Sequence, residues 1–294
     1  MSVLTASANI GLMPSRQVFL CAISNISSGS CNEDCSFCTQ SVRFKADINR
    51  YRQKPIDEIV LEAKRARDNM AIGFCLVTAG KGITPSKLEF ICEAAKAVKK
   101  EVPNLNIIAC NGTATIEELK ILKESGVGSY NHNLESSQAY YEQICTTHSW
   151  EERYQTCLNV KEVGLNLCSG GIFGMGESEN DRESLIKSIC ELEPASVAMN
   201  FFHPNVALPL EKTLDIEESL SWIRKMRKSV GDQTRVMVAG GREISFKDRQ
   251  GDIFKSGANS IVVGNYLTTT GNEPHHDIEM IKALGLEIAV DCNG

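Results

Sequence analysis

The sequence predicts an α/β chain closed into a (β/α)8 barrel of the TIM type. Three observations predict it. Short β-rich runs alternate with longer amphipathic stretches about every 30 to 35 residues. Eight such runs occur. No composition break divides the 294 residues. The runner-up is an open doubly wound sheet, but eight regular units favour closure. The expected strands are 18–24, 74–79, 106–111, 129–134, 166–173, 196–202, 235–239 and 260–263. The expected helices are 55–70, 85–101, 115–125, 150–163, 178–193, 216–230 and 246–256. The first starts with Pro55 in its first turn and spaces Ile59, Ala63 and Ala66 along one face. Several close on glycine, as at Gly126, Gly164 and Gly257. Residues 1–17 form an N-terminal extension, and 18–294 form the barrel.

Composition narrows the class. Hydrophobic residues make up 42% of the chain and charged residues 23%, so it has enough apolar material for a large core. A net charge of −6 gives no sign of nucleic acid or an anionic membrane as partner. No apolar run approaches the roughly 18 residues of a membrane span. The start of the chain lacks a basic segment followed by an apolar core, so a cytoplasmic location is expected. Twelve cysteines in such a chain should stay reduced, and metal binding or chemistry is the better explanation for several. Cys92, Cys145, Cys157, Cys190 and Cys292 fit as small apolar fillers.

The densest sulfur pattern is Cys31-Asn32-Glu33-Asp34-Cys35-Ser36-Phe37-Cys38, which reads C-x3-C-x2-C in a polar loop after the first strand. Three thiolates can hold a cubane iron–sulfur cluster with one iron left open. The alternative is a zinc knuckle, but zinc wants four ligands and no fourth Cys or His lies nearby in sequence. Three more cysteines, Cys75, Cys110 and Cys168, fall on the second, third and fifth strands. In a closed barrel they could meet at the axis. They could equally be ordinary buried strand residues. Gly240-Gly241-Arg242-Glu243 follows the seventh strand, where an arginine ordinarily clamps phosphate or carboxylate.

Strand ends carry polar groups, as a barrel enzyme requires. In Tyr130-Asn131-His132-Asn133-Leu134-Glu135, alternation turns Asn131, Asn133 and Glu135 to one face, suiting a polyhydroxylated or urea-like ligand. His132 faces the other way and fits a packed histidine better than a base. Asn200 ends the sixth strand and needs a ligand or a hydrogen-bond network if buried.

The C-x3-C-x2-C spacing with Phe37 before its last cysteine resembles the radical S-adenosylmethionine enzymes. The ordered set of Cys75, Cys110, Cys168, Tyr-Asn-His-Asn-Leu, Cys-Ser-Gly-Gly and Gly-Arg-Glu resembles their biotin synthase family, from about Val18 to Leu286. The resemblance implies a 4Fe–4S cluster on Cys31, Cys35 and Cys38, with S-adenosylmethionine on its open iron. It implies a 2Fe–2S cluster on Cys75, Cys110, Cys168 and Arg242, an odd ligand because guanidinium has no lone pair to give. S-adenosylmethionine would contact Phe37, Asn133, Glu135, Arg153 and Ile172. The last lies in a G-x-I-x-G-x-x-E run from Gly170 to Glu177. Dethiobiotin would contact Asn131 and Asn200. A flavodoxin- or ferredoxin-type electron donor, iron–sulfur assembly machinery and a homodimer are also implied. This chain departs from the family pattern in having Glu135 for aspartate and Gly73 where many members carry arginine. The rivals are a related barrel radical enzyme, of hydrogenase-maturase or methylornithine-synthase type, and an iron–sulfur electron carrier without a substrate.

Overall fold

The computed structural model describes residues 12–212 and 214–292. Parallel strands form a closed barrel: β1 (Gln17–Ser27), β2 (Gly73–Thr78), β3 (Asn106–Cys110), β4 (Val127–Asn131), β5 (Asn166–Cys168), β6 (Gly171–Phe173), β7 (Ser196–Phe201), β8 (Arg235–Val238) and β9 (Ser260–Val262). The pairing of β1 with β9 closes the ring and excludes the open sheet. β5 and β6 are one stave of the eight, interrupted at Ser169–Gly170, because both pair with β7. A short β10 (Glu287–Ile288), which the sequence pattern did not suggest, pairs with the start of β1.

Helices cover the outside: α1 (Ile56–Asp68), α2 (Pro85–Glu101), α3 (Ile116–Glu124), α4 (Gln138–Tyr141), α5 (Trp150–Val163), α6 (Glu179–Leu192), α7 (Ile216–Val230), α8 (Arg242–Phe246), α9 (Asp252–Lys255) and α10 (Pro274–Ala283). Their starts are written in the sequence. Thr115, Ser149 and Ser178 each close a capping box with the acid three residues on, satisfying backbone N–H groups that lack helical partners. The expected helix 246–256 is instead broken into α8, a 3-10 turn (Lys247–Arg249) and α9. Lys247 takes a φ of +50°, which no continuous helix allows. The main core lies between the outer face of the barrel and the helices, where Phe74, Leu76, Ile107, Val197 and Val236 are buried. Residues 1–11 of the expected N-terminal extension lie outside the described residues. Of the rest, Leu12 N–H donates to the Lys255 carbonyl at 3.2 Å and Met13 packs against the core.

The barrel interior follows from the register. Starting at Cys21, cross to the paired residue on the next strand and then move one residue toward its C-terminal end. Repeating this passes Phe74, Ile108, Tyr130, Cys168, Val197, Met237 and Ile261 and returns to Cys21. One residue of rise per strand is the stagger of an eight-stranded barrel of shear 8. Because side chains alternate across a strand, every second member points inward. Cys21, Ile108, Cys168 and Met237 therefore form one layer. The next layer up holds Cys75, Asn131, Ala198 and Val262.

Candidate active site

Above the Cys21 layer the barrel opens into a cavity of about 370 Å³. Cys75, Cys110 and Cys168 line it on three staves, and Phe37, Cys38, Asn131, Asn133, Glu135, Ile172 and Asn200 line it nearer the mouth. A smaller pocket lies beneath. Cys21, Ile108, Cys168 and Met237 line both spaces, so they are the partition between them.

The loop carrying Cys31, Cys35 and Cys38 is tied at both ends. Cys31 N–H donates to the Gln40 carbonyl at 3.3 Å, and Val42 N–H returns a bond to the Cys31 carbonyl at 2.8 Å. Asp34 accepts from the backbone N–H groups of Thr146 (2.9 Å) and Thr147 (3.2 Å) and from both hydroxyls. Burial alone would raise the Asp34 carboxyl, but the Thr146 and Thr147 hydrogen bonds outweigh it and hold the pKa below the usual carboxylate range. Gly29 turns with φ +68° into the loop, where a Cβ would strike the Arg50 side chain at 2.6 Å.

Cys145 is not the apolar filler expected. Its Sγ is 3.6 Å from Cys35 Sγ and 3.3 Å from His148 Nδ1. His148 Nδ1 also pairs with Glu33 at 2.6 Å. Cys35, Cys145 and His148 form the one group among the described residues whose ligand atoms lie within 4.8 Å of one another. The two cysteine triads are both wider than that. Thiolates round a single zinc ion, each about 2.3 Å from it, would be about 4 Å apart. Neither triad is therefore drawn together as closely as the thiolates of a closed single-ion zinc site.

The mouth is polar as expected. β4 ends at Asn131, but pairing continues: His132 N–H donates to the Cys168 carbonyl at 2.9 Å and Leu134 N–H to that of Gly170 at 2.8 Å. Alternation therefore holds through Glu135. Asn131 Oδ1, Asn133 Oδ1 and Glu135 Oε2 are buried without a hydrogen-bond partner, while Asn131 Nδ2 donates to Cys110 Sγ at 3.3 Å. Three unpartnered acceptors facing one cavity fit a ligand that donates hydrogen bonds. Arg153 fixes this rim, donating to the Asn133 carbonyl (2.6 Å) and to Glu135 Oε1 (3.0 Å). Burial pushes the Glu135 carboxyl up, and Arg153 pulls against it. Glu135 holds φ +67°, a conformation uncommon outside glycine. His132 is buried away from the cavity, and burial lowers its pKa so that it stays neutral.

Gly170 and Gly171 are required by close approach. A Cβ on Gly170 would sit 1.9 Å from the Ala198 carbonyl oxygen, and one on Gly171 would sit 2.7 Å from that of Glu135. Glu177 does not reach the cavity. It accepts from Gly174 N–H (2.7 Å) and Met175 N–H (2.6 Å) and pairs with Arg182, so it holds the glycine loop beneath Ile172.

Two expected residues are placed differently. Asn200 lines the cavity, but its amide is engaged by the chain itself: Nδ2 donates to the Gly171 carbonyl at 3.2 Å, and Oδ1 accepts from Gly240 N–H at 2.9 Å. Arg242 does not join the strand cysteines. It starts α8 after Gly241 has turned the backbone, and its guanidinium is held outside the cavity lining by Asp277 and Glu243. The inward position of that stave at the cysteine level is Met237. Sequence reasoning missed both Met237 and Cys21. Counting alternate residues back from Gly241 and along β1 was the available signal.

Family models match in two consecutive segments: the Radical SAM superfamily over residues 25–189 and the Biotin and Thiamin Synthesis associated domain over 198–287. Biotin synthase of a Nitratiruptor species is 58% identical over 94% of this chain and 99% of its own length. That of Campylobacter jejuni subsp. jejuni serotype O:2 is 56% identical over 94% and 100%. Among solved structures, methylornithine synthase superposes with a TM-score of 0.78 at 19% identity, covering 93% of this chain and 84% of that one. The hydrogenase maturase HydG of Carboxydothermus hydrogenoformans superposes at 0.80 and 17%, covering 94% and 68%. These two likenesses show the barrel fold alone. Identity above half along nearly the whole length, on a barrel whose cavity is lined by Cys38 together with Cys75, Cys110 and Cys168, places the chain in the biotin synthase family of radical S-adenosylmethionine enzymes.

Proposed function

We propose that this chain converts dethiobiotin to biotin in the cavity described, with Cys31, Cys35 and Cys38 holding a 4Fe–4S cluster and Cys75, Cys110 and Cys168 holding a 2Fe–2S cluster. Bound at these sites, the first cluster with S-adenosylmethionine supplies a 5′-deoxyadenosyl radical and the second supplies sulfur. The observation that carries the reading is one cavity with Cys38 near its mouth, Cys75, Cys110 and Cys168 toward its base, and unpartnered acceptors beside and above the strand cysteines.

The chain's own residues divide the work by depth. Asn133 and Glu135, held by Arg153, offer acceptors at the level where the ribose hydroxyls of S-adenosylmethionine would donate. Phe37 and Ile172 supply apolar surface there for the adenine. Asn131 offers Oδ1 one layer above the floor, where a ureido N–H of dethiobiotin would reach it. Asn200 acts through position, pinning β6 to the turn after β8 and so fixing the width of the cavity. The apolar lining from Ile23, Val77 and Ala239 excludes water from the path between the two ends. Among the described residues no helix is long and apolar enough to cross a membrane. A cytoplasmic location, an electron donor of flavodoxin or ferredoxin type, cluster-rebuilding machinery and a homodimer belong to the proposal. The barrel at 18–294 is the unit to which this chemistry is assigned.

The test is anaerobic reconstitution with iron and sulfide, followed by reductant, S-adenosylmethionine and dethiobiotin. Formation of 5′-deoxyadenosine together with biotin is expected. Absence of both from fully loaded protein would overturn the reading.

A further inference from the structure

We propose that Cys21 is the fourth thiolate of the strand-cysteine centre, so that the 2Fe–2S cluster is held by Cys21, Cys75, Cys110 and Cys168 with no arginine among its ligands. The inference rests on the functional reading above and deepens it.

A 2Fe–2S cluster takes four protein ligands, two on each iron. Cys75 and Cys110 line the cavity from the adjacent, paired staves β2 and β3, so they suit one iron. Cys168 is left for the other, with one position to fill. The floor layer that contains Cys168 offers three further side chains, Cys21, Ile108 and Met237. Ile108 has no donor atom. Met237 offers only a neutral thioether. Cys21 offers a soft anionic thiolate, the ligand iron–sulfur clusters take. It stands on β1, opposite Cys168 on β5, four staves round the ring. Cys21, Cys75, Cys110 and Cys168 all line the one cavity, so these sulfurs share one space.

Two neighbouring positions agree. Gly73 is the register partner of Cys21 on β2, and a Cβ at Gly73 would lie 2.7 Å from Cys21 Sγ. A side chain of any size there would displace the thiol. Arg242, the expected fourth ligand, has its guanidinium fixed by Asp277 and Gln250. An arginine cannot both hold those bonds and present a lone pair to iron.

The test isolates the second cluster in a full-length chain carrying Cys31→Ala, Cys35→Ala and Cys38→Ala, reconstituted anaerobically with iron and sulfide. The parent should show a 2Fe–2S absorption spectrum and resonance Raman bands. Adding Cys21→Ser should keep the iron but shift the charge-transfer bands to shorter wavelength and move the Fe–S(Cys) stretches, because oxygen replaces sulfur on one iron. Adding Cys21→Ala should lose iron to a chelator several-fold faster. Met237→Leu should change neither spectrum nor retention. A packing role for Cys21 would not alter the vibrations of the cluster. Mössbauer comparison with the cysteine loop intact separates the two clusters and covers misfolding of the loop variant. If Cys21→Ala matches its parent in spectrum and iron retention, the fourth-ligand assignment is wrong. If the parent itself assembles no 2Fe–2S cluster, the two-cluster reading falls with it.

Discussion

Arg242 donates to both carboxylate oxygens of Asp277, at 2.9 and 2.6 Å, and both side chains are fully buried. Removing one partner of such a pair leaves an uncompensated charge inside the protein, which costs roughly 3–5 kcal/mol. Arg242→Met should therefore lower the unfolding midpoint in urea substantially. The double variant Arg242→Met/Asp277→Leu should recover much of the loss. In the folded fraction of either, the 2Fe–2S absorption spectrum should be that of the unaltered protein.

Cys35 and Cys145 present sulfurs 3.6 Å apart. Closing them to a bond needs only a small shift toward the disulfide length of about 2.05 Å. Cluster-free protein exposed to diamide should lose two thiols and form a Cys35–Cys145 disulfide, with two electrons and two protons passing to the diamide. Peptide mapping would locate the cross-link. Oxidised protein should load the first cluster poorly until reduced, whereas Cys145→Ser should load normally after the same treatment.

Asp34 fastens the cysteine loop to Thr146 and Thr147. Its folded-state pKa is depressed, so its contribution is present above the ordinary carboxylate pKa of about 3.9 and is lost as pH falls below it. Between pH 5 and pH 8 the loop anchor should not respond to pH. Asp34→Ala should cost on the order of 1–3 kcal/mol through the backbone donors it strands. Amide exchange at Thr146 and Thr147 should rise, and 4Fe–4S retention should fall.

Arg153 serves two acceptors at once, the Asn133 carbonyl and Glu135. Lysine cannot reproduce that fork. Arg153→Lys should weaken S-adenosylmethionine binding by about tenfold, equivalent to about 1.4 kcal/mol. Equilibrium binding to cluster-loaded protein measures this. Iron content should not change.

Much of the fold was legible because local and global signals agree. The capping acids at Glu118, Glu152 and Asp181 and the glycine at Gly164 set helix ends that depend on neighbours in sequence. The alternation from Tyr130 to Glu135 decides by local geometry alone which groups face the cavity. What the sequence hid depends on distance. The split of one stave at Ser169–Gly170 is forced by the Ala198 carbonyl on another strand. Cys145 looks apolar by pattern and becomes polar only because the loop around Cys35 folds against it. Arg242 was misplaced because a Gly-Gly-Arg run records a turn and not where the turn sends the side chain. Asp277, 35 residues on, decides that.

The partition at the base of the barrel fixes the timing of events as well as their place. Cys21, Ile108, Cys168 and Met237 close the well below. Above it, the Thr39 and Thr268 hydroxyls meet at 2.8 Å and join the cysteine loop to the segment after β9. A space sealed beneath and entered from one end works as a stack. On the function proposed above, a molecule held next to the strand cysteines would have to arrive before one held at Asn133 and Glu135, and would depart after it. Turnover should then follow a compulsory order, with the upper molecule exchanged while the lower one stays seated.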